Sequence, residues 1–381
     1  MLILFIVPVA RAHELSGRME VEGRFFFHDP LFQGQDYYNG SVALEPEYYH
    51  EWETGSSFTF VPFARFDSGD SRRTHFDIRE LNYLWLDDAW ELRVGVAKVF
   101  WGTTEFVHLV DIINQTDLVE DIDGEDKLGQ PMVHLSVPRD WGVMDMFVLP
   151  WFRERTFPGT PGRLRTALEV DAEHARYESS TEDRHPDFAL RYSHTIGNWD
   201  FGIYHFMGTT REPRFIRRFD QLIPCYDQIN QTGLDMQFVS GQWLWKLESI
   251  YRFGQQSSFL ATVCGFEYTI VTLGETQMDL GLIGEYAFDD RGSGAMTIYQ
   301  NDVMCGLRLT ANDPASSELL VGLIQEIDDP ATAVSIEASR RIGSNCKLML
   351  ESWTFLNAPG SDPLASLLRD DFLRLQLAYY F

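Results

Sequence analysis

Apolar and polar residues alternate with a period of two along most of this chain. Near the N-terminus, Met19, Val21 and Phe25 alternate with charged residues, and similar alternation recurs at 57–68 and 277–289. Successive side chains of a β-strand point to opposite faces, so each such segment has one apolar and one polar face. About 18 strands are predicted, near residues 14–28, 41–53, 57–68, 73–88, 90–102, 131–140, 143–155, 186–197, 199–210, 232–240, 243–254, 259–273, 277–289, 296–311, 317–327, 332–342, 346–357 and 372–381.

The connections between the predicted strands alternate in length. Even-to-odd joins such as 53–56 and 197–198 are short, whereas odd-to-even joins such as 103–130 and 156–185 are long. Short turns at one rim and long loops at the other are typical of barrels that cross the bacterial outer membrane. We therefore predict an all-β fold, a transmembrane antiparallel up-and-down β-barrel of about 18 strands, with 16 as the alternative count. A soluble β-sandwich is the competing interpretation, but 18 long strands would be unusual in one sandwich.

The N-terminus has the features of a secretory signal peptide. Leu2–Ala10 is an apolar stretch of the right length, and Ala10-Arg11-Ala12 is a small-x-small cleavage site. The basic residues that normally precede such a stretch are missing, which suggests a truncated start. We expect residues 1–12 to be a signal peptide and 13–381 to form a single outer-membrane barrel domain. An ordinary N-terminal strand is the alternative, and Pro8 disfavours a long one.

The C-terminal strand resembles the insertion signal of Gram-negative outer-membrane barrels. Leu375, Leu377, Tyr379 and Phe381 share one apolar face, and the chain ends on an aromatic residue. The resemblance implies a bacterial outer-membrane location, contact with outer-membrane lipid, and recognition by the barrel-insertion machinery.

Beyond that strand, the chain resembles the porin group, whose members have 16 or 18 strands. Phe100-Trp101-Gly102 followed by an Asn- and Asp-rich stretch, 111–117, is also similar to large uncharacterised porin-like families of Proteobacteria. This resemblance implies a barrel architecture and a transport function, with small-molecule solutes as partners, but it supplies no substrate. Porins occur as monomers and as homotrimers, and both states remain open.

Composition excludes several other classes of protein. The 381 residues include 31 Lys and Arg against 57 Asp and Glu, and the resulting charge of −26 excludes a general nucleic-acid binder. The four cysteines form no CxxC pair, which excludes a disulfide framework or a cysteine-rich zinc module. The ten histidines are scattered, so we predict no metal site and no cofactor. An enzyme is least favoured, because no GxSxG motif or convincing Ser/His pair is present.

The segment 103–130 carries the strongest candidate chemistry. It has eight acidic residues against the single base Lys127, a net charge of −7, together with apolar residues at part-helical spacing. In porins the loop after a corresponding strand folds into the lumen, so we predict a constriction loop whose apolar side packs on the wall. An exposed loop is the alternative, and 121–126 lacks the EF-hand spacing of a calcium loop. The predicted pore-lining carboxylates are Glu105, Asp111, Asp117, Glu120, Asp121, Asp123, Glu125 and Asp126.

Basic residues with lumen-facing parity supply a possible opposite wall. A basic wall across from an acidic loop would produce a transverse field that orients dipolar solutes. Local pairing with neighbouring glutamates is the alternative. This predicted basic wall consists of Arg18, Arg24, Arg308, Arg341, Lys347 and Arg374.

Two arginine clusters in the long loops suggest a further partner. At the outer rim they could bind lipopolysaccharide phosphates, since Arg suits bidentate phosphate contact. An inward-folded vestibule for anions and ordinary solvated loop charge are the alternatives. The clusters comprise Arg211, Arg214, Arg217 and Arg218, and Arg153, Arg155, Arg163 and Arg165.

Together these features predict an outer-membrane porin, a passive diffusion channel for small hydrophilic solutes with a moderate preference for cations. At about 18 strands the lumen exceeds what the wall side chains can fill. A plugged structural or scaffold barrel that serves a partner complex is the first alternative, and an outer-membrane enzyme is the second.

The alternating join lengths predict that both termini face the periplasm. In a variant without the four native cysteines, we expect Ser179→Cys, in a long loop, to react with an impermeant maleimide on intact cells. Asn198→Cys, in a short turn, should react only after the outer membrane is permeabilised. Labelling of Asn198→Cys on intact cells, with none at Ser179→Cys, would reverse the assigned orientation.

Overall fold

The computed structural model describes residues 13–295, 297–360 and 362–381, so the predicted signal peptide at 1–12 lies outside the described residues. Most of the described chain is β-strand. In chain order the strands are β1 (His13–Phe26), β2 (Tyr38–Glu51), β3 (Ser57–Asp67), β4 (His75–Asp87), β5 (Trp90–Ala97), β6 (Gln130–Arg139), β7 (Gly142–Leu149), β8 (Glu169–Val170), β9 (Arg176–Tyr177), β10 (Asp187–Ile196), β11 (Trp199–Thr209), β12 (Arg214–Arg218), β13 (Gln221–Tyr226), β14 (Gln228–Ser240), β15 (Trp243–Phe253), β16 (Phe259–Ile270), β17 (Asp279–Asp289), β18 (Asn301–Thr310), β19 (Glu318–Glu326), β20 (Thr332–Ile342), β21 (Cys346–Leu356) and β22 (Phe372–Tyr380).

Helical structure is confined to short 3₁₀ turns in the connections. They are Ala172–His174, Glu182–Arg184, Leu273–Glu275, Gly292–Gly294 and Pro363–Leu367. Across the described ranges, none of these helices is long and apolar enough to cross a membrane.

Eighteen of the strands form one closed antiparallel barrel, which confirms the predicted fold class and the higher of the two strand counts. Each of these 18 strands pairs with the next barrel strand in chain order. The first and last strands also pair, β1 with β22, from Arg18↔Tyr380 to Phe26↔Phe372. This last pairing closes the sheet and leaves no free edge. The remaining four strands, β8, β9, β12 and β13, make a small separate sheet in two long loops.

The alternating pattern corresponds to the two faces of the barrel wall. In β1, Met19 and Val21 are 44% and 52% exposed on the outside, whereas Glu20 and Glu22 are 3% and 4% exposed on the inside. The C-terminal residues Leu375, Leu377, Tyr379 and Phe381 also face outward and are exposed. The outer surface is therefore apolar and the inner surface is charged, as the period-two pattern requires.

The two rims differ in the length of their connections. The rim that holds the start of β1 and the end of β22 has short turns such as 88–89 and 197–198, with longer ones at 271–278 and 311–317. The opposite rim has the longest connections, 98–129 and 150–186. Parts of both long connections are buried inside the barrel and fill much of its interior.

A glycine in β5 allows close packing between neighbouring strands of the wall. Gly95 has a φ of +135°, and a Cβ at this position would lie 2.1 Å from the carbonyl oxygen of Leu81. We expect Gly95→Ala to lower the free energy of unfolding by about 1–3 kcal/mol, because the strands must separate to accept the methyl group. Urea unfolding in detergent measures this. Gly40→Ala in β2 is the control, since its Cβ would meet nothing closer than 3.7 Å; equal effects of the two changes would contradict the packing argument.

Candidate functional site

The connection between β5 and β6, residues 98–129, crosses the interior of the barrel. We call it the luminal segment; it contains nearly all of the predicted loop 103–130. Its residues contact inward-facing side chains of β3 and β4 on one side and of β15, β17 and β18 on the other. No helix forms within it, so the part-helical spacing of its apolar residues corresponds to an irregular, packed chain.

Buried ion pairs fasten the luminal segment to β3 and β4. Arg65 donates from Nε to both carboxylate oxygens of Glu120, at 3.0 and 2.8 Å. Arg73, in the turn between these strands, donates to the carbonyl oxygen of Val119 at 2.9 Å. Both guanidiniums also lie beside Glu22 on β1, at 3.6 and 2.9 Å. Each buried charge therefore has an opposite charge beside it, as burial demands.

Asp117 forms a second buried attachment. It is fully buried and accepts hydrogen bonds from Arg79 Nη2 and Thr156 Oγ1, both at 2.7 Å. Burial alone would raise the pKa of Asp117, but His75, Arg79 and Thr156 together lower it to about 2. Asp117 thus stays ionised over the physiological range and links the luminal segment to β4 and to the loop 150–186.

Two wall glutamates hold the opposite end of the luminal segment by its backbone. Glu248 on β15 accepts hydrogen bonds from the backbone N–H groups of Thr103, Thr104 and Val110, at 2.6, 3.1 and 3.2 Å. Glu285 on β17 accepts from the next two backbone N–H groups, those of residues 105 and 106, at 2.7 and 3.1 Å. These carboxylates satisfy backbone donors that would otherwise be unpaired inside the barrel.

Part of the predicted basic wall meets the luminal segment. Arg308 on β18 pairs with Glu105, and Arg374 on β22 pairs with Asp121. Arg24 on β1 donates to the carbonyl oxygen of Glu120 at 3.4 Å. Through these three arginines, the strands β1, β18 and β22 are also attached to the luminal segment.

The other half of the predicted basic wall lies elsewhere. Arg18 pairs with Glu20 and Glu45, Arg341 is exposed, and Lys347 is half-buried opposite Arg341 near the short turn. Strand parity indicates the face of the wall on which a residue lies, but it says nothing of the height of that residue along the barrel. At about 3.3 Å per residue, they lie too close to the short-turn rim to reach the luminal segment.

The eight predicted pore carboxylates divide into two groups. Glu105, Asp111, Asp117, Glu120 and Asp121 are each paired with a basic side chain; Asp111 pairs with Lys127 at 3.1 Å. Asp123, Glu125 and Asp126 are exposed to the lumen, and of these Glu125 pairs with His108 at 2.9 Å. The first group attaches the segment, and the second presents charge to solvent.

The pKa values of two exposed carboxylates are raised by their enclosure in the barrel. Burial within the lumen raises the pKa of Asp126 to about 6, and the charges of Glu120 and Asp121 add to the effect. Burial and the neighbouring Asp121 also raise the pKa of Asp123. Crowded like charges favour the neutral form, so protons compete for these positions at mildly acidic pH.

Apolar residues complete the attachment of the luminal segment. Val110, Ile112 and Ile113 are buried in a cluster with inward-facing wall residues that include Phe206 and Phe259. The carbonyl oxygen of Ile113 accepts two hydrogen bonds from Arg211, which also pairs with Asp187. This apolar cluster inside the barrel makes the segment part of a packed core.

Two cavities lie on either side of the middle of the luminal segment. The one towards the long loops, of about 400 Å³, is lined by His108, Asp123 and Tyr299 among others. The one towards the short turns, of about 460 Å³, is lined by Trp101, Thr103 and wall residues. The two cavities have no lining residue in common, and residues 101–109 of the segment lie between them.

The remaining loop arginines differ in their surroundings. Arg211, Arg163 and Arg165 are buried, and Arg163 pairs with Asp370 at 2.6 Å. Arg217 and Arg218 are exposed in the small loop sheet. The sequence analysis did not identify five residues that attach the luminal segment. Their charges at inward-facing or turn positions could have indicated a role inside the barrel. They are Arg65, Arg73, Arg79, Glu248 and Glu285.

Comparison with known proteins identifies the fold. No family model matches the chain, and no curated protein matches it. The structure is similar to a BenF-like porin from Pseudomonas fluorescens Pf-5, with a TM-score of 0.57, 10% identity, and 97% of each chain covered. It is similar to OpdQ of Pseudomonas aeruginosa, with a TM-score of 0.53, 9% identity, and coverage of 97% of this chain and 96% of that one.

A third similar structure is Wzi of Escherichia coli, described as an outer-membrane, carbohydrate-binding β-barrel involved in group 1 capsule assembly. Its TM-score is 0.55 at 10% identity, over 95% of this chain and 84% of that one. At these identities the similarity shows the fold alone: a closed 18-stranded barrel of the porin type.

Loss of one buried carboxylate tests the attachment of the luminal segment. Glu120→Gln leaves the buried guanidinium of Arg65 without its bidentate partner, so we expect a loss of about 3 kcal/mol in unfolding free energy. Backbone amides of residues 115–128 should exchange hydrogen faster in the folded protein, as measured by mass spectrometry. Glu53→Gln, at an exposed position in a short turn, is the control. Unchanged exchange in Glu120→Gln would show that the ion pair does not hold the segment.

Proposed function

We propose that this protein is an outer-membrane porin, a channel for small hydrophilic solutes in which the luminal segment forms the constriction. The observation that carries the proposal is the course of this segment, which crosses an 18-stranded barrel and is attached to both walls. An apolar outer surface and a charged inner surface support a position in the membrane. The porin-type fold of the structurally similar proteins agrees with this function.

The charges that the luminal segment presents to solvent favour cations. Six of the eight carboxylates of the segment are compensated by basic side chains, Glu125 among them through His108, which leaves Asp123 and Asp126 as the uncompensated charges facing solvent. Carboxylates in a narrow, low-dielectric passage raise the local concentration of counter-cations. Because only a few charges remain uncompensated, the expected preference is moderate.

A closed barrel that binds or scaffolds a partner is the second candidate. It is favoured by the packing of the luminal segment and its apolar cluster, which fill much of the barrel interior. The carbohydrate-binding barrel Wzi has a similar fold, so a barrel of this shape can serve a binding function. An enzymatic function has no comparable support in the geometry.

Ion selectivity in planar bilayers tests the proposed channel. Under a KCl gradient at about pH 7.5, we expect the double variant D123N/D126N to lower the K⁺/Cl⁻ permeability ratio roughly 2-fold or more. Acidification of the unaltered protein to about pH 4.5 should have a similar effect, because the pKa of Asp126 is about 6 and its charge is lost below that pH. Asp117, with a pKa of about 2, remains charged at this pH, so its attachment to Arg79 is retained.

E53Q/D88N removes the same number of charges at exposed positions near the short turns and is the matched control. Equal ratios in D123N/D126N and the control would place the uncompensated carboxylates outside the ion path. Reconstituted protein that conducts no current would favour the scaffold function.

A further inference from the structure

Two of the arginines that line the larger cavity have no acidic partner. The arginines of this cavity come from the long loops, from β15 and from the turn after β17: Arg155, Arg165, Arg211, Arg252 and Arg291. Three of them form ion pairs at 2.8, 2.8 and 2.5 Å, Arg211 with Asp187, Arg252 with Glu212, and Arg291 with Asp289. For Arg155 and Arg165, no carboxylate oxygen of a described residue lies within 4.0 Å of the guanidinium. The cavity therefore holds two uncompensated positive charges.

Arg165 is buried without an ion pair; the residue is 8% exposed. Its Nη1 atom donates to the backbone carbonyl oxygens of residues 166 and 167, at 2.9 and 3.3 Å, whereas Nε has no hydrogen-bond partner in the part of the chain that the structure describes. The guanidinium also lies over the ring of Phe32, 4.1 Å from its centroid. Burial of a charge is costly unless an opposite charge accompanies it, so an anion in the cavity would stabilise this side chain.

Arg155 presents hydrogen-bond donors to the cavity. Its side chain is half-buried, and its one side-chain hydrogen bond to a described residue runs from Nε to Oε1 of Gln115, at 3.3 Å. The acidic residue that acts most strongly on it, Glu212, is already paired with Arg252. Both terminal nitrogens of Arg155 are therefore available, and a guanidinium can bind a carboxylate through two parallel N–H···O bonds.

Aromatic rings form an apolar part of the same cavity. Phe157 follows Arg155 by two positions, and Phe215 comes from the connection between β11 and β14. Their ring centroids are 5.7 Å apart, and both residues line the cavity. Phe259 on β16 lines it as well. A solute in this cavity can bury an apolar part against these rings while its charged part meets a guanidinium.

We propose that the larger cavity binds small organic anions, whose carboxylate bonds to Arg155 and whose apolar part packs on Phe157 and Phe215. Arg165 contributes a second positive charge. A monoanion is favoured over a dianion such as phosphate, because the nearby carboxylate of Glu212 would repel a second negative charge. The proposal rests on the proposed function, since the bound anion would be a solute of the channel, and it adds a class of solute to that function.

Binding of hexanoate to the purified full-length protein in detergent tests the proposal. Because Asp123 also lines the cavity and repels anions, we expect weak binding, with a Kd of roughly 1–10 mM by isothermal titration. Hexanamide, which has the same chain without the charge, should bind at least about 10-fold more weakly, because it cannot form charge-assisted hydrogen bonds. Acetate should also bind at least about 10-fold more weakly, because it lacks most of the apolar chain. Absence of saturable hexanoate binding up to about 50 mM would overturn the proposal.

Substitutions of Arg155 test its role in binding. Arg155→Gln should weaken hexanoate binding about 10-fold or more, because it removes the charged donors. Arg155→Lys keeps the charge but not the fork of donors and should weaken binding less, which separates loss of the site from a failure to fold. Arg218→Gln, at an exposed loop position that lines neither cavity, is the matched control. Equal hexanoate affinity in Arg155→Gln and Arg218→Gln would refute the assignment.

The titration does not depend on conduction, so the anion site and the proposed channel can fail separately. Hexanoate binding by a protein that conducts no current in bilayers would support the anion site and contradict the proposed channel. Conduction by a protein that does not bind hexanoate would contradict the anion site alone.

Discussion

The structure depends on the pairing of charges that are buried inside the barrel. A barrel whose inner wall carries many acids and bases is satisfied by water when its lumen is open, but a chain segment that fills the lumen removes that water. Each ionised group must then find an opposite charge or a hydrogen-bond donor. Arg65 with Glu120 and Arg79 with Asp117 meet this requirement on one wall, and Glu248 with a row of backbone N–H groups meets it on the other.

This requirement explains why the acidic composition of the segment does not produce an equally acidic passage. Most of its carboxylates serve attachment, and their charges are cancelled within about 3 Å. Only Asp123 and Asp126 face solvent without a basic partner. The same segment thus has one group of carboxylates that attaches it to the wall and another that faces solvent. The apolar residues Ile112 and Ile113 add packing that charge pairs alone do not supply.

The barrel could be predicted from the sequence because its information is local. Period-two alternation indicates each strand, and turn length indicates the rims, so all 18 barrel strands were identified. The strands β8, β9, β12 and β13 were missed because they are short and lie inside long loops, and because β13 pairs with the distant β8 and β9. Within the site, an irregular segment has no period. The sequence therefore could not separate Asp117, which is buried, from Asp123, which is exposed, nor could parity reveal that Arg341 lies too far along its strand.

The attachments of the luminal segment also differ in chain separation, and this imposes an order on folding. Its contacts with β3 and β4 join residues 55 and 38 positions apart, whereas those with β15 and β22 join residues 145 and 253 positions apart. Loop-closure entropy makes the nearer contacts easier to form, and the distant ones require strands that lie much further along the chain. The segment can therefore dock on the N-terminal part of the wall while the sheet is still open. Its final position is reached only when β22 meets β1, so maturation of the interior and closure of the barrel are one event.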